Sequence, residues 1–114
     1  MLKKTQRLTT RQFNEVMAKG KIVRSPLFLL RILDQAGPPN DPGSRVSAVA
    51  PTKVAKKAVE RNRIRRRVYA AVRPILPLMK EGVRVLILAK TVPAASADLT
   101  AELRTVFAKA GILE

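Results

Sequence analysis

Apolar residues recur along this chain with two periods, and the changes of period divide it into elements. In LTTRQFNEVMAKG, Phe13, Val16 and Met17 fall on one helical face. Thr9 and Gln12 have capping-box spacing, and Leu8 is placed to staple onto Phe13. Gly20 is expected to end this helix in the left-handed region. After Pro26, LFLLRIL is short and rich in large apolar residues and reads as a strand, with room for a short extra strand around Lys21 to Arg24. QAGPPNDPGS, residues 35–44, is dense in Pro and Gly and reads as a loop inside one domain. RVSAVA alternates around Ser47, and the two apolar stretches flanking the loop suggest an antiparallel pair. A long helix follows from about Lys56 to Arg73, closed by Pro74 and Pro77. After a turn at Glu81–Gly82, the segment from Val83 to Ala89 is almost continuously apolar, which predicts a strand buried on both faces. Finally, SADLTAELRTVFAKAG sets Leu99, Leu103, Val106, Phe107 and Ala110 on one helical face, with Ser96 placed to cap its start and Gly111 its end. The predicted order is helix, two or three strands, helix, strand, helix, with no repeat and no coiled coil.

Length and charge narrow what this arrangement is for. The 114 residues fit one domain with a modest core, and 46% hydrophobic residues are too many for a disordered tail. Only 4% are aromatic, so that core is aliphatic. Lys and Arg number 23 against 8 Asp and Glu, a net charge of +15. Such self-repulsion opposes compaction, exceeds what solubility needs, and is relieved by a polyanion. Nucleic acid is the leading partner. A membrane partner is not expected, because no basic amphipathic helix carries large apolar anchors and the run from Val83 to Ala89 is far too short to span a bilayer. The opening MLKKTQRLTT lacks an apolar signal core, and a chain without cysteine suits a reducing cytoplasm.

Catalytic chemistry is poorly provided for. With neither cysteine nor histidine, a zinc site and the Ser–His or Cys–His arrangements are out of reach. The acids Glu15, Asp34, Asp41, Glu60, Glu81, Asp98, Glu102 and Glu114 are scattered. Two-metal phosphodiester cleavage needs clustered carboxylates holding ions about 4 Å apart. A stand-alone nuclease is therefore disfavoured, and no metal or other cofactor is expected on the polypeptide.

The chemistry that is present lies in AVERNRIRRRVYAAVR. At about 100° per residue, Ala71, Val68, Ile75 and Val72 fall within about 80° of Ile64, forming an apolar stripe. Asn62, Arg66, Tyr69 and Arg73 cluster on the opposite side, with Arg65 toward one flank and Arg63 and Arg67 toward the other. Arg61 lies nearer the stripe, where its stem can pack while its head emerges. Glu60 alone interrupts the positive run from Lys53 to Arg73, and Lys53, Lys56 and Lys57 extend it. Like charges three and four apart weaken an isolated helix by about 0.2–0.5 kcal/mol per pair. A phosphate-bearing partner offsets that cost, since phosphate matches the planar fork of arginine. Phe13, Phe28 and Tyr69 could stack on unpaired bases, although core packing is the ordinary fate of a strand aromatic such as Phe28.

At RNRIRRR the chain resembles the protein component of bacterial ribonuclease P. Arg61, Asn62 and Arg63 match that family's Arg-Asn-Arg motif, Arg65 and Arg66 its basic pair, and Arg73 a later arginine. RLTTRQFNEVMAKGK is similar to its opening, KVAKKAV to its lysine-rich approach, and VLILAK, with Lys90, to its last strand. Tyr69 and Arg84 stand where the family commonly has an arginine and an acidic residue. The resemblance implies an α+β two-layer sandwich: a four-stranded mixed sheet with three helices, in the order α-β-β-β-α-β-α, with a left-handed βαβ crossover through the arginine helix. It implies a subunit that binds a catalytic RNA holding magnesium ions and assists removal of the 5′ leader from precursor tRNA, with no catalytic residue and no obligate protein partner of its own. By that resemblance Lys53, Lys56, Lys57, Arg61, Asn62, Arg63, Arg65, Arg66, Arg67 and Arg73 contact the catalytic RNA, and Phe13, Met17, Phe28, Tyr69 and Lys90 the leader. Two other readings compete. A ribosomal or other structural RNA-binding protein would have no enzymatic role, and a DNA-binding regulator would select duplex sequences.

Overall fold

The apolar segment after Gly82 forms the strand around which the others assemble. In the computed structural model, which describes residues 7–33, 44–80 and 82–113, the elements run α1 (Thr10–Lys19), β1 (Lys21–Arg24), β2 (Phe28–Leu33), β3 (Arg45–Val49), α2 (Ala58–Val72), a 3-10 turn (Leu76–Leu78), β4 (Arg84–Ala89) and α3 (Leu99–Lys109). The sheet order is β1-β2-β4-β3. β4 is antiparallel to β2 and parallel to β3, and every residue of β4 except Leu88 is buried. β2 and β3 therefore do not pair with each other, contrary to the expectation from the stretches around the loop. A strand apolar on both faces is best satisfied in the middle of a sheet, with both edges hydrogen-bonded and both faces covered. β4 takes that place between them, and the parallel β3–β4 pair needs a crossover, which α2 supplies. The body of the 35–44 loop lies outside the described residues, as does Glu81 of the predicted turn.

Alternation along the strands sends their side chains to two unlike faces. Phe28, Leu30, Ile32, Val46, Ala48, Val85, Ile87 and Ala89 join Ile64, Val68 and Val72 of α2 and Leu103 and Phe107 of α3 in the main core. The other face carries α1, which contacts β2 and β4, and there Val16 and Leu86 are buried outside that core. Two hydrogen bonds fasten α1 across the sheet: the Leu8 N–H donates to Ser47 Oγ at 3.0 Å, and Arg31 Nη1 to the Met17 carbonyl at 3.2 Å.

The helix ends show local chemistry at work. Thr9 Oγ1 accepts from the Gln12 N–H at 3.2 Å and Gln12 Oε1 from the Thr9 N–H at 2.9 Å, the reciprocal box the spacing predicts. Gly20 is not left-handed; its φ of −68° and ψ of 142° are extended. What it needs is space, since a Cβ there would sit 2.5 Å from the Val16 carbonyl oxygen and 3.3 Å from Arg31 Cβ. α3 begins later than Ser96 allows: Asp98 is its cap, with Oδ1 accepting from the Ala101 N–H at 3.0 Å. Gly111 does end it with a positive φ of 76°.

Tyr69 departs from its predicted exposure. It is buried, and its Oη accepts from the Ala48 N–H at 3.1 Å. β3 lies at the edge of the sheet, so its outward backbone groups need partners. α2 packs on both α3 and β3, which widens its buried arc beyond the stripe centred on Ile64 and draws in Tyr69. Tyr69→Phe keeps the ring and strands the buried Ala48 N–H, at a cost of about 1–3 kcal/mol. In urea the unfolding midpoint should fall with the slope unchanged, and an unmoved midpoint would show that this hydrogen bond contributes nothing.

Candidate nucleic-acid interface

α2 docks by Ile64, Val68, Tyr69, Ala71 and Val72 and turns guanidinium groups away from the core. Arg63, Arg65, Arg66 and Arg73 are exposed, as are Lys53, Lys56 and Lys57 before the helix. Asn62 is half-buried, and its Oδ1 accepts from Arg65 Nη2. Arg61 and Arg67, also half-buried, are braces as well as cations. Arg61 Nη1 donates to the carbonyls of Ala55 at 3.1 Å and Lys56 at 2.7 Å, tying the approach segment to a helix start that lacks a side-chain cap. Arg67 donates through Nη1 to Pro93 O at 3.0 Å and through Nη2 to Ala94 O at 2.9 Å, pinning the loop after β4. The cations free to meet a partner are thus fewer than the sequence motif contains.

The other candidate surface lies on the α1 face. Strand register aligns Arg24, Leu29, Leu88 and Val49 in one row across the sheet. The neighbouring row holds Ile22, Arg31, Leu86 and Ser47, two of which are bonded to α1 or the residues before it. The first row lies beyond those bonds. Its Leu29, Leu88 and Val49 are only half-buried, and Arg24 is exposed. Beside it Phe13 is half-buried, while Met17 and Ile22 stand 43% and 46% exposed. This is an apolar trough with a basic rim.

Of the residues assigned to the leader, Phe13 and Met17 lie on α1 at this side. Phe28 is fully buried on the opposite face, in the core with α2 and α3. Successive strand residues point to opposite faces, so the trough receives Leu29 where Phe28 was expected. Tyr69 is also in the core and offers no face for stacking. Lys90 is exposed beyond the end of β4, with Nζ donating to Ser25 O at 3.1 Å. Arg24, Ile22, Leu29, Val49 and Leu88 were missed. β2 and β4 read as near-continuous apolar runs, so the parity turned away from the main core is marked in them only by Arg31 and Arg84.

At the far end of the same face Arg84 is buried, and its Nη1 lies 3.6 Å from Glu15 Oε2 on α1. Register sets Arg45 beside it, and Arg45 Nη1 donates to Arg7 O at 3.2 Å. The basic residue at the start of β4 is thus met by an acid from α1. Among the described residues no three His, Cys, Asp or Glu side chains come together to hold a metal, and no helix is long and apolar enough to cross a membrane.

A family model described as Ribonuclease P matches residues 2–111. The chain belongs to the ribonuclease P protein family. A ribonuclease P protein component from a Pseudanabaena species is 34% identical over 116 residues, covering 99% of this chain and 97% of the relative. That from Symbiobacterium thermophilum is 32% identical over 117 residues, with 99% and 97% covered. The Staphylococcus aureus ribonuclease P protein has the same fold, with a TM-score of 0.78 at 16% identity over 96% of this chain and 98% of that one. The Thermotoga maritima protein superposes with a TM-score of 0.61 at 22% identity, over 88% and 82%. Membership makes this chain a protein component of ribonuclease P, with a role in tRNA processing.

Proposed function

We propose that this protein grips the catalytic RNA of ribonuclease P with the exposed face of α2 and its lysine approach, and receives the 5′ leader of precursor tRNA in the trough between α1 and the sheet. The observation that carries the reading is the pairing of two surfaces: a guanidinium face on α2, and a half-open apolar trough rimmed by Arg24 on the other side of the sheet. A ribozyme and a leader are both polyanions, and a chain of net charge +15 between them lowers their mutual repulsion. Hydrolysis itself falls to the RNA and its magnesium ions, since the described residues offer no metal cluster and the chain no histidine. The polypeptide's part is to bind and position, in the cytoplasm and without an obligate protein partner. The family match gives no support to the ribosomal alternative.

The direct test adds the purified protein to a bacterial ribonuclease P RNA at low magnesium and follows leader release. Stimulation is expected, with binding that falls as salt rises at a log–log slope of about 0.7–0.9 per phosphate neutralised. No stimulation, or a flat salt response, would overturn the proposal.

A further inference from the structure

Beside the arginine face, α2 and the loop after β4 enclose a groove of about 380 Å³. That is within the range of about 300–1,000 Å³ usual for small-ligand sites. Its apolar surface comes from Ile64, Val92 and Pro93, and its polar side from Glu60, Arg63 and Arg67. Val92 is 54% exposed, an apolar side chain open to solvent beside a strongly basic helix. Arg67 holds the loop in place through its two carbonyl bonds. Arg63 and Glu60 are both exposed, one helical turn apart, and form no ion pair with each other within 4.0 Å.

A groove serving phosphate alone would not carry a carboxylate, which repels it. Glu60 makes chemical sense facing N–H donors, and Arg63 facing acceptors. Among the bases, guanine presents two parallel N–H donors on its Watson–Crick edge, N1–H and N2–H, which match one carboxylate. It also presents O6 and N7 as acceptors, the pair arginine binds best. Adenine and cytosine place an acceptor beside their amino group, and uracil has one N–H between two carbonyls. An unstacked base needs an apolar support as well, which the exposed Val92 offers and the guanidinium plane of Arg63 can complete.

We propose that this groove seats one unpaired guanine of the RNA partner, its donor edge on Glu60 and its face on Val92, so that α2 reads a base as well as holding phosphates. The inference rests on the RNA-binding reading above, but its test is separate. Methyl NMR of the whole chain is followed during titration with guanosine 5′-monophosphate, adenosine 5′-monophosphate and inorganic phosphate. Saturable shifts at the Val92 methyls are expected with the guanine nucleotide, at roughly tenfold lower concentration than with the adenine nucleotide, as for one bidentate base contact. Inorganic phosphate should leave Val92 unmoved, and Glu60→Gln should abolish the preference between the nucleotides. In the complex with a bacterial ribonuclease P RNA, Val92→Ser should weaken binding while leaving the salt slope unchanged, because it alters no charge and no phosphate contact is lost. Equal response to the two nucleotides, a Val92 shift with phosphate alone, or a changed salt slope would overturn the base site. Failure of leader stimulation with Val92 still selective for guanine would instead remove the leader-handling role proposed above and keep the groove.

Discussion

With Arg65 and Arg66 both replaced by alanine, binding to a bacterial ribonuclease P RNA should weaken by roughly tenfold or more at physiological salt, and the log–log salt slope should fall by about 1.5. Both side chains are exposed, and they are the central pair of the motif on a helix where no acid occurs between Arg61 and Arg73. The fold should survive. Exposed substitutions away from packing usually change stability by no more than about 0.5 kcal/mol, and relief of like-charge crowding acts in the stabilising direction. Melting followed by circular dichroism separates the outcomes. A collapsed transition would make these arginines part of the architecture, and unchanged RNA affinity would move the interface off α2. Arg61 and Arg67 would be poor choices for this test. Their guanidinium groups hold the carbonyls of Ala55, Lys56, Pro93 and Ala94, so removing them disturbs the backbone together with the charge.

The second large effect is expected at Phe28. Phe28→Ala removes a fully buried ring from the core shared by the sheet, α2 and α3. Truncations of this kind cost about 3–5 kcal/mol. Domains as a rule hold only about 5–15 kcal/mol in total, so the variant should unfold at far lower urea and can be partly unfolded at working temperature. Phe13→Ala should behave in the opposite way. Phe13 is half-buried beside the trough, so its loss should be mild in urea yet visible as weaker handling of precursor tRNA with a full leader. The control is precursor tRNA with a leader trimmed to a single nucleotide, where the Phe13 variant should match the parent protein. A Phe28 variant with an undiminished midpoint would contradict the buried position, and a Phe13 variant indifferent to leader length would empty the trough of its proposed role.

The contrast between the two phenylalanines shows where sequence pattern stops being informative. Residues 27–33 are apolar almost throughout, so the run itself shows little of the alternation that decides which face meets α2 and α3. Phe28 and Leu29 are both large and apolar, and a shift by one residue exchanges their roles. Tyr69 illustrates the same limit on a helix. Its angle from Ile64 places it opposite the stripe, and only the docking of α2 over the edge strand brings it inside. The strand pairing followed suit: β2 and β3 are close in sequence, but β4 satisfies both of them at once.

What the sequence determined alone was local and chemical: the capping box at Thr9, the stop at Gly111, the three helices, the doubly buried β4, the surplus of arginine and the lack of histidine and cysteine. These depend on side-chain type and on spacing within a few residues, which the chain carries in itself. Tertiary structure decided the order of strands, which face became core, which arginines brace the backbone, and the open row of Arg24, Leu29, Leu88 and Val49. Those outcomes hinge on contacts between segments far apart in the chain, where burial of one face leaves the other to meet a partner.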